Sequence, residues 1–365
     1  MDFFEHGGRR DGANIKYDFS ANINPLGMPE AAAEALQRGW KKAEGYPEET
    51  SGSLCEALAL EWRAGKEQIV CTNGASELIY AAVRALRPKT GLILAPTFSE
   101  YERAFLAADC PVSCFPLLRE NGFLPDERLP VFLEQQPSGS LFFLCNPSNP
   151  VGGCMDPELL ERVLRVTAQK KIWLAADETF LPFCKDYEKI SMKRFYGTYG
   201  NLLVINAFTK LYAMPGLRLG WGICADTEAI RQIKRQLPAW NVSVPAQLAG
   251  LAALREEGYR EKTAAYLEKE RAFLAKELRK REKLIYRVYP PDANFIFLEG
   301  AQGLDRRLAE KGFAIRSCEN YRGLGPGDYR IAVRTTQENE ALLQALDELE
   351  AENSEGAPEP LKENT

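Results

Sequence analysis

The chain has 365 residues, of which 45% are hydrophobic and 27% charged, and its formal net charge is −5. That length and apolar share fit one large domain with a smaller one beside it, while the acidic balance argues against a nucleic-acid or anionic-membrane partner. No apolar run reaches the roughly 20 residues of a spanning helix, and Met-Asp-Phe-Phe-Glu lacks the features of a signal peptide, so a cytoplasmic protein is expected.

Nine cysteines, scattered through apolar runs such as those around Cys71, Cys145 and Cys224, read as reduced thiols rather than a disulfide framework. His6 is the single histidine, which leaves a zinc site or a serine–histidine triad without support.

Residues 1–30 read as an extended arm, because His6-Gly-Gly and Asp18-Phe-Ser-Ala-Asn22-Ile-Asn-Pro-Leu-Gly suit backbone that wraps another surface. A helix over 29–42 follows, then the loop Gly45-Tyr46-Pro47 and a helix over 54–62 capped by the serines before it. From there strands and helices alternate. Strands are predicted at 69–72, 92–95, 112–117, 141–145, 172–176, 202–205 and 217–224. Helices are predicted from Gly74 to 86, over 99–108 and over 157–169. Continuous apolar strands of this kind indicate a mostly parallel, doubly wound α/β sheet flanked by helices. A single long helix over 244–283 is expected to bridge to a smaller α+β domain with strands at 295–298 and 329–333 and a last helix at 338–350. The expected division is an arm at 1–30, a large domain at 31–262, a small domain at 263–350 and an acidic, disordered tail at 351–365.

The chemistry-bearing residues sit at predicted strand ends, where open α/β sheets bind their ligands. Gly74-Ala75-Ser76 opens a helix whose backbone N–H groups suit a phosphate. Phe98 is placed to stack on a flat ring, or is a core aromatic. Asn149 lies in the turn after 141–145, where turn chemistry alone would also favour it. Asp177 caps an apolar strand. A carboxylate there is costly without a partner and would pair well with a pyridinium N–H, although a helix cap is the other reading. Lys210, just beyond 202–205, is followed eight residues later by Arg218. A lysine able to carry an aldehyde beside an arginine able to clamp a phosphate is what a pyridoxal-phosphate site requires, and Thr209 adds a donor. Arg330 and Arg334 share one face of their strand by period two. For Arg334 a solvated or ion-paired side chain is the simpler reading.

The order Gly74-Ala-Ser, Phe98, Asn146-Pro-Ser-Asn149-Pro-Val-Gly, Asp177-Glu, Thr209-Lys210, Arg218 resembles the fold-type-I, aspartate-aminotransferase superfamily of pyridoxal-phosphate enzymes. Within it the chain is most similar to the L-threonine O-3-phosphate decarboxylases of cobalamin biosynthesis, relatives of the histidinol-phosphate aminotransferases. Tyr212-Ala-Met-Pro-Gly-Leu-Arg-Leu-Gly, Ile315-Arg-Ser-Cys-Glu-Asn-Tyr and Tyr329-Arg-Ile-Ala-Val-Arg carry that closer likeness, together with the arm.

The resemblance implies a homodimer in which Tyr46 reaches the cofactor phosphate of the other subunit. It also implies that Arg330 and Asn22 hold the substrate carboxylate, and that Arg316 and His6 hold the substrate phosphate. Two positions depart from the superfamily pattern: Phe180 stands where a tyrosine is usual, and Ala207 where a hydroxyl is common. The reaction implied is decarboxylation of threonine phosphate, with transamination of histidinol phosphate or decarboxylation of serine phosphate as alternatives. A catalytically silent sensor of the cofactor is a more distant one.

Overall fold

The computed structural model describes residues 7–8 and 14–355, the side chains of the last three excepted. His6 and residues 356–365 lie outside the described residues.

After a short β1 (Tyr17–Asp18), the chain builds a seven-stranded sheet. Its strands are β2 (Ile69–Thr72), β3 (Gly91–Ala95), β4 (Val112–Pro116), β5 (Leu141–Cys145), β6 (Trp173–Asp177), β7 (Leu202–Ala207) and β8 (Gly220–Cys224). The spatial order is β2-β8-β7-β6-β5-β3-β4. All pairings are parallel except those of β8, which runs against both neighbours.

Both faces of the sheet are buried, which is why its strands carry no polar alternation. Along β5, Leu141, Phe143 and Cys145 enter one core while Phe142 and Leu144 enter the other. Helices Gly52–Trp62, Pro157–Lys170 and Val244–Leu254 pack on one face, and Gly74–Leu86, Ser99–Leu106 and Thr227–Lys234 on the other. Each fully buried aliphatic or aromatic side chain contributes roughly 1.5–3 kcal/mol.

A second sheet follows from β9 (Ile285–Val288), β10 (Phe295–Gly300), β12 (Arg316–Ser317) and β13 (Asp328–Ala332), antiparallel throughout in the order β12-β13-β10-β9. The remaining strand, β11 (Phe313–Ala314), pairs in parallel with β1. Leu267, Leu274 and Leu278 of helix Tyr259–Leu278 share this second core with Leu342, Leu346 and Leu349 of helix Thr336–Glu355. No helix among the described residues is long and apolar enough to cross a membrane.

Two expectations change. The helix predicted over 244–283 is two helices, Val244–Leu254 and Tyr259–Leu278, separated at Gly258 with φ +73. The first helix closes on Arg255 in ordinary helical backbone and Gly258 leads into the second in the left-handed backbone that glycine adopts without a side-chain clash; the first helix, rich in alanine, lies buried rather than bridging. The chain after Leu278 then forms β9 instead of more helix. The last helix continues to Glu355, five residues into the stretch expected to be disordered. The described part of the arm lies on its own chain: Phe19 N donates to Ala314 O at 2.7 Å, and Ala332 N to Phe19 O at 2.9 Å.

Because β8 is antiparallel, its first residue sits beside the last residues of its neighbours, with Gly220 opposite both Thr72 and Ala207. One edge of the sheet therefore receives the chain leaving β2, β5, β6 and β7 and the loop entering β8. Gly220 is pressed against the helix that begins after β2, where a Cβ would stand 2.3 Å from Ala75 N. Backbone on both sides leaves no room to yield. Gly220→Ala is expected to cost at least about 2 kcal/mol and to lower Tm in thermal denaturation, whereas Gly216→Ala, with open space around it, should leave Tm nearly unchanged.

Candidate active site

The sheet edge opens into a cavity of about 290 Å³. Lining it are Ala75, Ser76, Phe98, Asn149, Asp177, Thr209, Lys210 and Arg218 from the central sheet's edge, together with Asn22 from the arm and Arg330 from β13. Residues separated by up to 310 positions meet there, Arg330 donating through Nη2 to Ser20 O at 2.9 Å.

Asp177 ends β6 and is 4% exposed. Its Oδ1 accepts from Thr179 N at 2.9 Å and its Oδ2 from the Tyr101 hydroxyl at 2.7 Å. Burial pushes its carboxyl above the usual range, and these donors oppose the shift. Glu178, next in the chain, turns elsewhere to accept from Ser191 Oγ at 3.0 Å and Met192 N at 2.5 Å. Alternation along the chain thus separates two adjacent acids.

Lys210 lies in the one-turn helix Phe208–Leu211 that follows β7. Its ammonium stands 5.9 Å from the centre of the Phe180 ring. Burial, then the charges of Arg330 and Arg218, bring its pKa down to about 8. A lysine so placed is a nucleophilic amine near neutral pH.

Three features give this edge an anion-attracting character. Helix Gly74–Leu86 begins at the edge without a side-chain cap from Asn73, so its first N–H groups and positive dipole end favour an anion. Gly74 has φ +79, and a Cβ there would stand 2.6 Å from Arg218 Nη2, so glycine lets the guanidinium lie against the helix start. Arg218 itself adopts φ +56, strain of about 1 kcal/mol or more that clusters at functional positions.

Arg330 donates through Nη1 to Asn149 Oδ1 at 2.5 Å, which leaves the Asn149 amide nitrogen as the group able to donate into the cavity. Arg316, paired in register with Arg330 on the adjoining strand, donates to Asn320 Oδ1 at 2.8 Å and lies 5.6 Å from the centre of the Tyr321 ring. Tyr321 lines the cavity, whereas Arg316, expected in the site, is not among the lining residues.

Not every residue named from the sequence meets the expectation at the cavity. Arg334 falls beyond the end of β13 and pairs with Glu338 at 2.8 Å, in keeping with the ion-paired reading. Tyr46 is 81% exposed and stacks on Trp240 with centroids 4.5 Å apart. His6 lies outside the described residues. Phe180, at the position without a hydroxyl, packs edge-on against Phe295 at 5.0 Å. Ala207 lines the cavity without offering a donor. Tyr101 was not singled out as a site residue from sequence. Its signal is the spacing from Phe98, since positions three apart share a helix face.

A flat, anionic pyridine derivative suits this donor set. Asn22 Oδ1, Thr179 Oγ1 and Arg330 Nε are buried without a hydrogen-bond partner, and all three residues line the cavity. Buried polar atoms of this kind call for a ligand or water. Carboxylate, amine, helix N-terminus and guanidinium match in turn the ring nitrogen, aldehyde and phosphate of pyridoxal 5'-phosphate.

The fraction of Lys210 present as free amine should rise through a pKa near 8. In apoprotein, acylation of Lys210 by a small amine-reactive probe, followed by peptide mass mapping, is expected to reach half its maximal rate near pH 8. A midpoint at the ordinary lysine value would show that burial does not perturb the group. Folding is linked with the matching sign: the unfolded lysine holds its proton to higher pH, so the penalty of Lys210 on stability is full below about pH 8 and lifts as pH rises toward 10.5.

The model of the family described as aminotransferase class I and II matches residues 14–346. The threonine-phosphate decarboxylase of Salmonella typhimurium is 34% identical, with 90% of each chain covered. The bifunctional adenosylcobalamin biosynthesis protein CobDQ of Leptospira interrogans is 32% identical across 95% of this chain and 41% of that longer one. Among solved structures, the histidinol-phosphate aminotransferase from Clostridium acetobutylicum superposes with a TM-score of 0.85 at 30% identity, covering 92% of this chain and 99% of that one. The match over most of the chain, on a mostly parallel sheet whose edge gathers lysine, aspartate and arginine, places this protein in the class I and II aminotransferase family of pyridoxal-phosphate enzymes.

Proposed function

We propose that the cavity binds pyridoxal 5'-phosphate and that the protein decarboxylates L-threonine O-3-phosphate to (R)-1-amino-2-propanol O-2-phosphate, in cobalamin biosynthesis. The observation carrying this reading is Arg330 in the lining of a cavity that also holds Lys210 and Asp177, with a second guanidinium, Arg316, opposite it in register on the adjacent strand. A substrate with two anionic ends, a carboxylate and a phosphate, fits two fixed cations better than a neutral or singly charged one does. The similarity to the Salmonella decarboxylase and the Leptospira protein supports the same assignment.

In this reading Lys210 carries the cofactor aldehyde, Asp177 holds the ring nitrogen, Asn149 the ring oxygen and Phe98 one face of the ring. Gly74, Ala75, Ser76, Thr209 and Arg218 hold its phosphate. Tyr46, exposed on its own protomer, would serve the cavity of a second copy in a homodimer. The bound cofactor supplies an electron-accepting ring that takes up the pair left at the substrate α-carbon when a bond there breaks.

The chain's own residues choose which bond that is. Arg330, tied to Asn149 and to Ser20 O, receives the carboxylate with Asn22 beside it. Arg316 and His6 receive the substrate phosphate. Two anchored ends fix the rotation of the substrate about its α-carbon, and that orientation sets the reaction. Lys210, with its pKa near 8, is then able to hold or deliver a proton at the α-carbon.

Transamination of histidinol phosphate is the second reading, favoured by the 30% identity and TM-score of 0.85 with the Clostridium structure. One assay separates the two. The holoenzyme with threonine phosphate and no keto acid is expected to release CO2. Turnover that needs a keto acid and returns glutamate or alanine would replace decarboxylation with transamination, and a faster rate on serine phosphate would change the substrate. Arg316→Ala is expected to lower kcat/KM for threonine phosphate by about 10²-fold, as for loss of one partner of a buried charge pair, with the cofactor's visible absorbance retained. An unchanged preference for phosphorylated over free threonine would take Arg316 out of the substrate site. Lys210→Ala should yield protein without a borohydride-sensitive chromophore.

A further inference from the structure

Asp177 would bind the ring nitrogen, yet the groups bonded to it are uncharged: one backbone N–H and one phenol. A carboxylate that is fully desolvated without a cation depends on such donors to remain ionised. The phenol belongs to Tyr101, whose side chain is completely buried. Its ring lies flat on Phe143, with centroids 4.9 Å apart and planes at 7°, and meets Phe98 edge-on at 5.5 Å. Phe98 is the residue preceding helix Ser99–Leu106, and Tyr101 stands three positions further on. One turn of helix thus supports the aromatic wall of the cavity and reaches beneath it to the carboxylate.

We propose that Tyr101 is a positioning residue of this site, holding Asp177 ionised and aimed at the cavity and thereby keeping the ring nitrogen of the bound cofactor protonated. This rests on reading the cavity as a pyridoxal-phosphate site. Three features carry it.

The bond is short and its donor has no rotational freedom, because the ring is clamped between Phe143 and Phe98. Burial and the nearby Asp177 charge raise the phenol's pKa well above the ordinary value, so it keeps its proton and can only donate. The other titratable neighbours do not take over the task. Cys145, opposite Asp177 in register, directs its thiol to Pro147 O at 3.2 Å, and Glu178 faces Ser191 and Met192. Lys210, the remaining one, is the group that would be occupied by the aldehyde.

Without the hydroxyl, Asp177 would be left with Thr179 alone in a dry site, and its neutral form would gain ground. A neutral carboxyl cannot stabilise a pyridinium as a carboxylate does. The ring nitrogen should then lose its proton.

The test uses holoenzyme reconstituted with cofactor labelled with ¹⁵N in the ring, observed by NMR at pH 7.5, alongside the cofactor dissociation constant. Tyr101→Phe keeps the stacked ring and removes only the oxygen. The expected result is a ring-nitrogen resonance displaced from the protonated toward the neutral position, with a dissociation constant raised about tenfold. A Tyr101→Phe protein with the parent's resonance and affinity overturns the proposal. Tyr101→His, which offers an N–H donor from the same position, is expected to recover part of the protonated signal. Should Tyr101→Phe fail to fold, that variant decides alone: a neutral ring nitrogen in Tyr101→His overturns the proposal and a protonated one supports it. Failure of the parent itself to take up cofactor would instead overturn the assignment of the cavity, a separate outcome.

Discussion

A carboxylate held at the buried end of a central strand, with no cation bonded to it, is the constraint on which the rest of this structure depends. Asp177 is stable there only because the chain supplies donors on one side and leaves space on the other. An ionised group in such a place costs several kcal/mol unless it is satisfied, so the site is organised to receive a partner. The unpartnered atoms of Asn22, Thr179 and Arg330 around the same cavity have the same character. The site is preorganised at some cost to the fold, which is what differential stabilisation of a reacting group asks of a protein.

The architecture explains how so many groups converge. Parallel strands send their carboxyl ends to one edge, and the loops leaving β5, β6 and β7 bring Asn149, Asp177 and Lys210 there. The antiparallel β8 adds what a purely parallel sheet would lack, because its entering loop delivers Arg218 to that edge. The same reversal requires glycine at 220, where β8 passes within contact distance of the helix that starts after β2. The anion-binding end of that helix and the arginine above it are thus two results of one strand direction.

The second sheet closes the cavity from the other side. Arg330 is held by Asn149 from the central sheet and by Ser20 O from the arm, and β1 secures the arm to β11. Three distant segments meet at one guanidinium. Substrate recognition therefore depends on how the two sheets sit together, and a change in either would be felt at Arg330 before it reached Lys210.

Much of this was legible in the amino-acid sequence, because it is local. The apolar run 141–145 is β5 residue for residue, helix Gly74–Leu86 has its predicted ends, and the strand-end positions of Asp177 and Lys210 follow from burial on both faces of the sheet. Motif order along the chain was enough to indicate the family and its cofactor. What the sequence could not decide is whatever depends on partners far away in the chain. The break at Gly258 hides in a helix-like pattern, since glycine's left-handed backbone shows only when the two helices go to different cores. Arg334 and Arg330 share a strand period, yet β13 ends between them and Glu338 captures the second. Tyr101 looks like one more core aromatic until β5 and β6 bring Phe143 and Asp177 against it. Short-range periodicity is written into neighbouring residues, whereas the hydrogen bond from Tyr101 to Asp177 joins residues 76 positions apart that only folding brings to 2.7 Å.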